Sequence, residues 1–402
     1  MEIHTHIDTG ALDAFVGLCG EALWQQRVAE LRARAAARTH GGRQALQYHC
    51  IELVLERLRG GPGARPPSPA EQRIASLAAE AVTVFDRLIP AGRNRLVRLL
   101  ADGLAGERCL VPAFHLLRTA ALQRSRGFDV GFAGLEDGAV FDLLLARAGV
   151  EAEVVCDVVS AEDGHGVHRG AWFRLVDRID PELQTWLRAH PGRYLLKLTF
   201  PLGLKTPVPQ DNGLLPALHD RITQMLAEQR RADHDEAAVL RLDPLMLAAA
   251  QADELGLMPR LRQEFGPEAH LAVTTGGGGI FVMAARAGRQ NEVAAAVRHR
   301  MEAIGPARLT GSRPGILAMF IEDTDRIEWR LLRERLELEG QARQFLTHPD
   351  ARAVVAVTCS SRLELFGLPE PDAAPEGELR FRNPAHPAAK TPALAPAVLS
   401  SM

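Results

Sequence analysis

Apolar residues recur at helical spacing through the first part of the chain. Leu12, Phe15, Val16 and Cys19, and later Leu46, Cys50, Leu53 and Val54, fall on one face of a 3.6-residue repeat and predict helix over residues 11–59. The run Gly60-Gly-Pro-Gly-Ala-Arg-Pro-Pro-Ser-Pro69 interrupts it as a linker. Ser68 then stands as an N-cap, Pro69 in the first turn and Glu71 three residues after the cap, which starts a helix reaching Leu88. A further helix covers 93–104. Beyond Cys109 the period changes. A helix over 112–126 carries Phe114, Leu117, Ala121 and Leu122 on one face and ends at Gly127. Strand-like runs follow at 128–132, 139–145 and 152–159, then a helix over 172–188 and a strand at 194–200.

The order α-β-β-β-α-β predicts a mixed sheet flanked by helices. The rest continues as α/β. Helices are expected at 216–230 and 291–304, strands at 271–275 and 280–284 around four glycines, and buried strands at 315–321 and 353–358 with a charged helix over 325–346 between them. The expected organisation is a helical region over 1–108, an α/β core over 109–215, a further α/β region over 216–375 and a Pro/Ala-rich tail over 376–402.

Composition narrows the function classes. In 402 residues, 47% apolar and 24% charged, the formal charge is −3, so no global basic field draws the chain to nucleic acid. Aromatic residues, at 5%, are few for a surface that stacks bases. No stretch of about 18 apolar residues predicts a membrane span, and the start Met1-Glu-Ile-His-Thr-His has no secretory pattern. The five cysteines form no C-x-x-C pair, which reads as reduced thiols and a cytoplasmic protein. Of the 47 basic residues only Lys197, Lys205 and Lys390 are lysines. A GC-rich genome accounts for that bias, and it makes each lysine conspicuous.

Several patterns dissolve on inspection. Gly276–Gly279 lacks the Gly-Lys-Ser/Thr of a phosphate loop and precedes strand residues, so it reads as a hairpin turn. His4-x-His6 with Asp8 resembles the opening of PHP-type phosphoesterases, but helix follows where alternating β and α are needed. His165-x-x-His168 reads as a polar loop before a helix, and Arg230-Arg231 with His234 as solvated surface.

Acidic residues in apolar strands are the sharper signal. Glu153, Val155 and Asp157 share one face of a strand, and Asp142 joins them if 139–145 pairs with it as a hairpin. Clustered carboxylates on a sheet face would hold Mg²⁺, which prefers oxygen ligands. The alternative is that they point to solvent or to arginines.

Residues 111–200 resemble the core of the PD-(D/E)XK nuclease superfamily. Phe141-Asp142 matches its Pro-Asp element, Val155-Cys156-Asp157 falls where Glu-x-Lys belongs, and Ser160-Ala-Glu-Asp-Gly164 with His168-Arg169 is similar to the following stretch in bacterial members. His115 stands on the preceding helix, where members often carry a supporting Glu. The resemblance implies a restriction-endonuclease-like sheet on which Asp and Glu bind Mg²⁺ and a lysine assists the attacking water. This chain departs from the pattern: Val155 replaces the Glu and Asp157 the Lys. The candidate catalytic set becomes Asp142, Glu153, Asp157 and Lys197, with Asp142, Glu153 and Asp157 as metal ligands. The resemblance therefore implies a nuclease-like protein with an altered active site, acting in nucleic-acid binding or as a scaffold. A protein-interaction module without nucleic acid and an active Mg²⁺-dependent nuclease with a rearranged site are the alternatives.

Overall fold

In the computed structural model the described residues are 8–37, 39–61, 65–205, 213–245, 254–266 and 268–400. His4 and His6 lie outside them. The helix expected over 11–59 is four: α1 (Thr9–Cys19), α2 (Glu21–Ala36), α3 (His40–Tyr48) and α4 (Cys50–Arg59). The Asp8 carboxylate caps α1 by accepting from the Ala11 amide at 3.2 Å. Gly20, at φ 89°, ends it. The helix α5 (Pro69–Arg87) starts on the Ser68–Glu71 capping box read from the sequence. Next come α6 (Pro90–Gly103), α7 (Val111–Ser125), β1 (Asp129–Gly131), α8 (Ala133–Glu136), β2 (Leu143–Arg147) and β3 (Val150–Ser160). They are followed by α9 (Arg169–Ala189), β4 (Arg193–Phe200), α10 (Leu214–Ala227), β5 (Ala232–His234), β6 (Val239–Pro244) and α11 (Glu254–Phe265). The remainder comprises β7 (His270–Gly276), β8 (Gly279–Ala287), α12 (Val293–Arg308), β9 (Gly315–Glu322), α13 (Arg326–Glu334), α14 (Glu337–Leu346), β10 (Val354–Ser361) and β11 (Leu379–Arg382). The charged helix expected over 325–346 breaks at Leu336, whose φ is 58°.

The strands form two mixed sheets, β1-β2-β3-β9-β10-β11 and β5-β6-β4-β8-β7. The fold is α/β, as the pattern predicts. The division of the chain is different. One unit takes Met1–Arg34, Ala45–Ala161 and Ala294–Met402, and the other Ala35–Gln44 and Glu162–Val293. The long segment of the second unit, Glu162–Val293, is thus an insertion in sequence after β3.

In the larger unit the N-terminal helices are not a region of their own. Phe15 and Trp24 belong to the same core as Phe114 of α7, Leu143 of β2, Val154 of β3 and Phe320 of β9. An amphipathic helix needs an apolar partner, and α7, buried on nearly every side, lies among the helices and against the sheet. The Pro/Ala-rich stretch also differs from expectation. It contributes β11, which pairs antiparallel with β10, and places Leu394, Ala397 and Val398 in that core. Small apolar residues fill gaps without a period that betrays them.

In the smaller unit Leu196, Leu198 and Phe200 of β4 pack with Trp172, Leu175 and Ile179 of α9 and with Ile222 and Met225 of α10. The four glycines make the β7–β8 turn: Gly276 pairs with Gly279, and Gly277 and Gly278 have φ 56° and 78°. Gly203 carries a heavier constraint. Its φ is 82°, and an added Cβ would lie 2.4 Å from the Gly166 carbonyl oxygen. Gly203→Ala therefore costs at least about 2 kcal/mol, expected as a lower urea midpoint with unchanged slope.

Candidate functional site

The β2–β3 hairpin turns through Ala148 and Gly149, both at positive φ, and pairs Arg147 with Val150 through to Leu143 with Val154. The ladder continues one residue further, because the Asp142 amide donates to the Val154 carbonyl at 2.9 Å. Asp142 thus sits at the mouth of the hairpin, and its Oδ2 accepts from the Cys156 amide at 2.7 Å. This is the neighbourhood that the sequence predicts for it.

Along β3 the alternation of side chains puts Glu153, Val155 and Asp157 on one face. The helix α12 and the turn after it supply a partner to each acidic group. Arg300 grips Asp157 with two prongs, Nε to Oδ2 at 2.5 Å and Nη2 to Oδ1 at 2.9 Å. Arg308 donates to Asp142 Oδ1 at 2.8 Å and to the Cys156 and Val140 carbonyls. The Thr310 amide donates to Glu153 Oε2 at 2.9 Å, and its hydroxyl donates to Oε1. Arg313 adds a guanidinium 3.7 Å from Glu153, whose side chain is fully buried.

The three carboxylates do not converge. Four residues of strand put Glu153 about 13 Å from Asp157 along the backbone. Burial pushes the Asp142 carboxyl above its ordinary range and the charge of Asp157 adds to the rise, while Arg308 and the Cys156 amide oppose it.

All six carboxylate oxygens already accept a hydrogen bond from protein. A single Mg²⁺ needs its ligand oxygens about 2.1 Å away, so Glu153 and Asp157, about 13 Å apart along β3, do not share one ion. Among the described residues no group of three His, Cys, Asp or Glu side chains forms a metal cluster.

Lys197 does not stand on this sheet. It belongs to β4, which pairs with β6 and β8, and its ammonium lies 3.2 Å from Asp243. The strand beside β3 is instead β9, parallel, with Asp157 opposite Met319. His115 is fully buried, donates from Nε2 to the Ala318 carbonyl at 2.9 Å and lies against Phe320, so it fastens α7 to β9. His165 sits 3.2 Å from Glu162 in the smaller unit, and His168 starts α9.

A hollow of about 480 Å³ opens beside Asp142, lined by Arg95, Arg98, Leu99, Asp102 and Leu116 among others. Arg95 is anchored to the Leu135 and Glu136 carbonyls at 2.7 and 2.9 Å. Arg98 is exposed, and among the described residues it forms no ion pair.

Arginines 300 and 308 are the partners of Asp157 and Asp142 that the sequence leaves hidden. No spacing links them to acids that precede them by 143 and 166 residues. No helix among the described residues is long and apolar enough to cross a membrane, and none of the five cysteines is disulfide-bonded. Compared with known proteins, the chain matches no family model, no curated protein and no solved structure.

Proposed function

We propose that the larger unit is a nuclease-like fold of the PD-(D/E)XK kind in which arginine has taken over the charge balance of the metal site, and that it binds nucleic acid without cutting it. The observation that carries this reading is the engagement of all six oxygens of Asp142, Glu153 and Asp157 by protein donors, with guanidinium groups of α12 on Asp142 and Asp157. In an active member a divalent ion and a lysine would supply positive charge at such carboxylates and lower the pKa of the attacking water. A guanidinium supplies the charge and no water activation, because it neither ligates water nor gives up its proton. In support, α7, β1, β2 and β3 follow one another in the larger unit as the resemblance implies, with the short α8 between β1 and β2, Asp142 just before β2 and Asp157 on β3, while α12 and β9 stand where the resemblance expected the helix and strand of residues 172–200. The hollow beside Asp142 is the proposed contact for phosphate, through Arg98 and the anchored Arg95.

The test is fluorescence anisotropy with single-stranded and duplex oligonucleotides. Binding is expected at about 50 mM salt, falling steeply as salt rises, because phosphate contacts release counterions. Arg95→Glu with Arg98→Glu is expected to weaken it by at least about tenfold. Incubation with Mg²⁺ or Mn²⁺ is expected to leave the oligonucleotides intact. Cleavage that vanishes in Asp142→Ala would establish an active nuclease instead. Absence of binding at low salt would turn the reading to a protein-interaction module, which the net charge of −3 favours.

A further inference from the structure

We propose that the smaller unit carries a second, separate binding pocket for a small organic anion: a carboxylate or phosphate head group on an apolar, preferably aromatic, body.

The sheet of this unit has two unlike faces. Leu196, Leu198 and Phe200 of β4 point to the face covered by α9 and α10. Lys197 and Thr199 alternate to the other. The register lines them up with their neighbours: Lys197 stands opposite Arg241 of β6 and Ala284 of β8, and Thr199 opposite Val239 and Arg286. One half of this face is closed by α11, where Leu257 and Leu261 pack with Leu195, Val282 and Ala284. Among the described residues nothing covers the half bearing Lys197, Arg241 and Arg286. Together with Glu264, Phe265 and Ala269 it bounds a cavity of about 410 Å³. That volume lies in the range of small-molecule sites.

The chemistry of the lining sets the ligand class. Three cations line the cavity against one carboxylate, Glu264. Lys197 and Arg241 share a single counter-charge, Asp243, at 3.2 and 3.0 Å. Arg286 is exposed and, among the described residues, forms no ion pair. The cavity thus has a surplus of positive charge with one guanidinium fork uncommitted, the geometry that takes a carboxylate or phosphate. Phe265, Val239, Ala269 and Ala284 give the same cavity an apolar side, which fits an aromatic body and leaves a bare inorganic anion without half its contacts. Small residues at Ala284 and Ala269 keep the space open.

The test is ligand-observed NMR and calorimetry on the full chain with benzoate, indole-3-acetate, phenyl phosphate, inorganic phosphate and the neutral control benzyl alcohol. At least one aromatic anion is expected to bind at or below about 10 mM, and inorganic phosphate and benzyl alcohol at least about fivefold more weakly. Comparing benzoate with phenyl phosphate assigns the head group. Arg286→Ala, at an exposed position, is expected to weaken the aromatic anion by at least about fivefold without shifting the melting temperature. Asp243→Asn releases Lys197 and Arg241 and is expected to tighten binding, a gain that misfolding cannot imitate. Binding of benzyl alcohol as tight as benzoate, binding unaffected by Arg286→Ala, or no binding of any aromatic anion at about 10 mM would overturn the proposal.

Discussion

Glu153→Ala is expected to destabilise the larger unit by about 2–4 kcal/mol, for the cavity left by a buried side chain and the loss of two hydrogen bonds. The side chain is wholly inside and holds the turn after α12 by two bonds from Thr310, with Arg313 behind. Alanine leaves the Thr310 amide without its acceptor and the hydroxyl with Ser312 alone, and it opens a cavity at the seam of β3 and β9, where Glu153 faces Gly315. Glu153→Gln keeps one acceptor and most of the volume, and its cost falls to about 1–2 kcal/mol. Urea unfolding followed by far-UV circular dichroism reads both, with the slope checked for constancy. A metal ligand behaves oppositely. Its removal relieves carboxylate repulsion, and Mg²⁺ at a few millimolar raises the wild-type midpoint, because an ion that binds only the native state stabilises it. A Glu153→Ala chain within about 0.5 kcal/mol of wild type, the scatter of neutral surface changes, would sink the structural role.

What the sequence made legible was local. The strands of the β2–β3 hairpin follow from the apolar runs at 139–145 and 152–159, and the shared face of Glu153 and Asp157 follows from strand alternation alone. The Ser68–Glu71 cap and the glycine turn at Gly276–Gly279 follow from residue chemistry at fixed offsets. Partnership across the chain was not legible. An apolar strand does not name its neighbour: the runs at β4 and β9 look alike, and only the fold makes β9 the parallel partner of β3. Lys197 was expected at the site because its strand followed β3 in sequence, yet an entire second sheet is inserted there. The arginine excess was equally silent. Among 44 arginines nothing in the pattern marks Arg300 and Arg308, although arginine's fixed fork, rather than lysine's point charge, is what the two-pronged grip on Asp157 requires.

The buried histidines give the chain a second large, measurable dependence. His115 is pushed down to about 4, chiefly by burial, from an ordinary value of 6.5, and His270 of the smaller unit is pushed to about 4 for the same reason. A base whose native pKa is depressed stays neutral in the fold while the unfolded chain takes up a proton. Its contribution is complete above pH 6.5 and is lost as pH falls towards 4. At about 1.4 kcal/mol for each pKa step, His115 alone accounts for about 3 kcal/mol across that interval. Glu322 acts in the opposite sense. Burial raises its carboxyl to about 7 from 4.5, so the fold binds its proton more tightly and stability declines as pH rises from 4.5 through 7. The wild-type profile between pH 4.5 and 6.5 is therefore the difference of opposed slopes, and the histidine share is isolated by substitution. His115→Gln retains a donor for the Ala318 carbonyl and does not titrate. It is expected to cost about 1–2 kcal/mol at pH 7 and to lose that disadvantage near pH 4.5, where wild-type His115 has forfeited most of its contribution. A urea midpoint whose difference from wild type stays constant from pH 7 to 4.5 would show that His115 titrates alike in both states, and that its buried bond to β9 opens in the native ensemble.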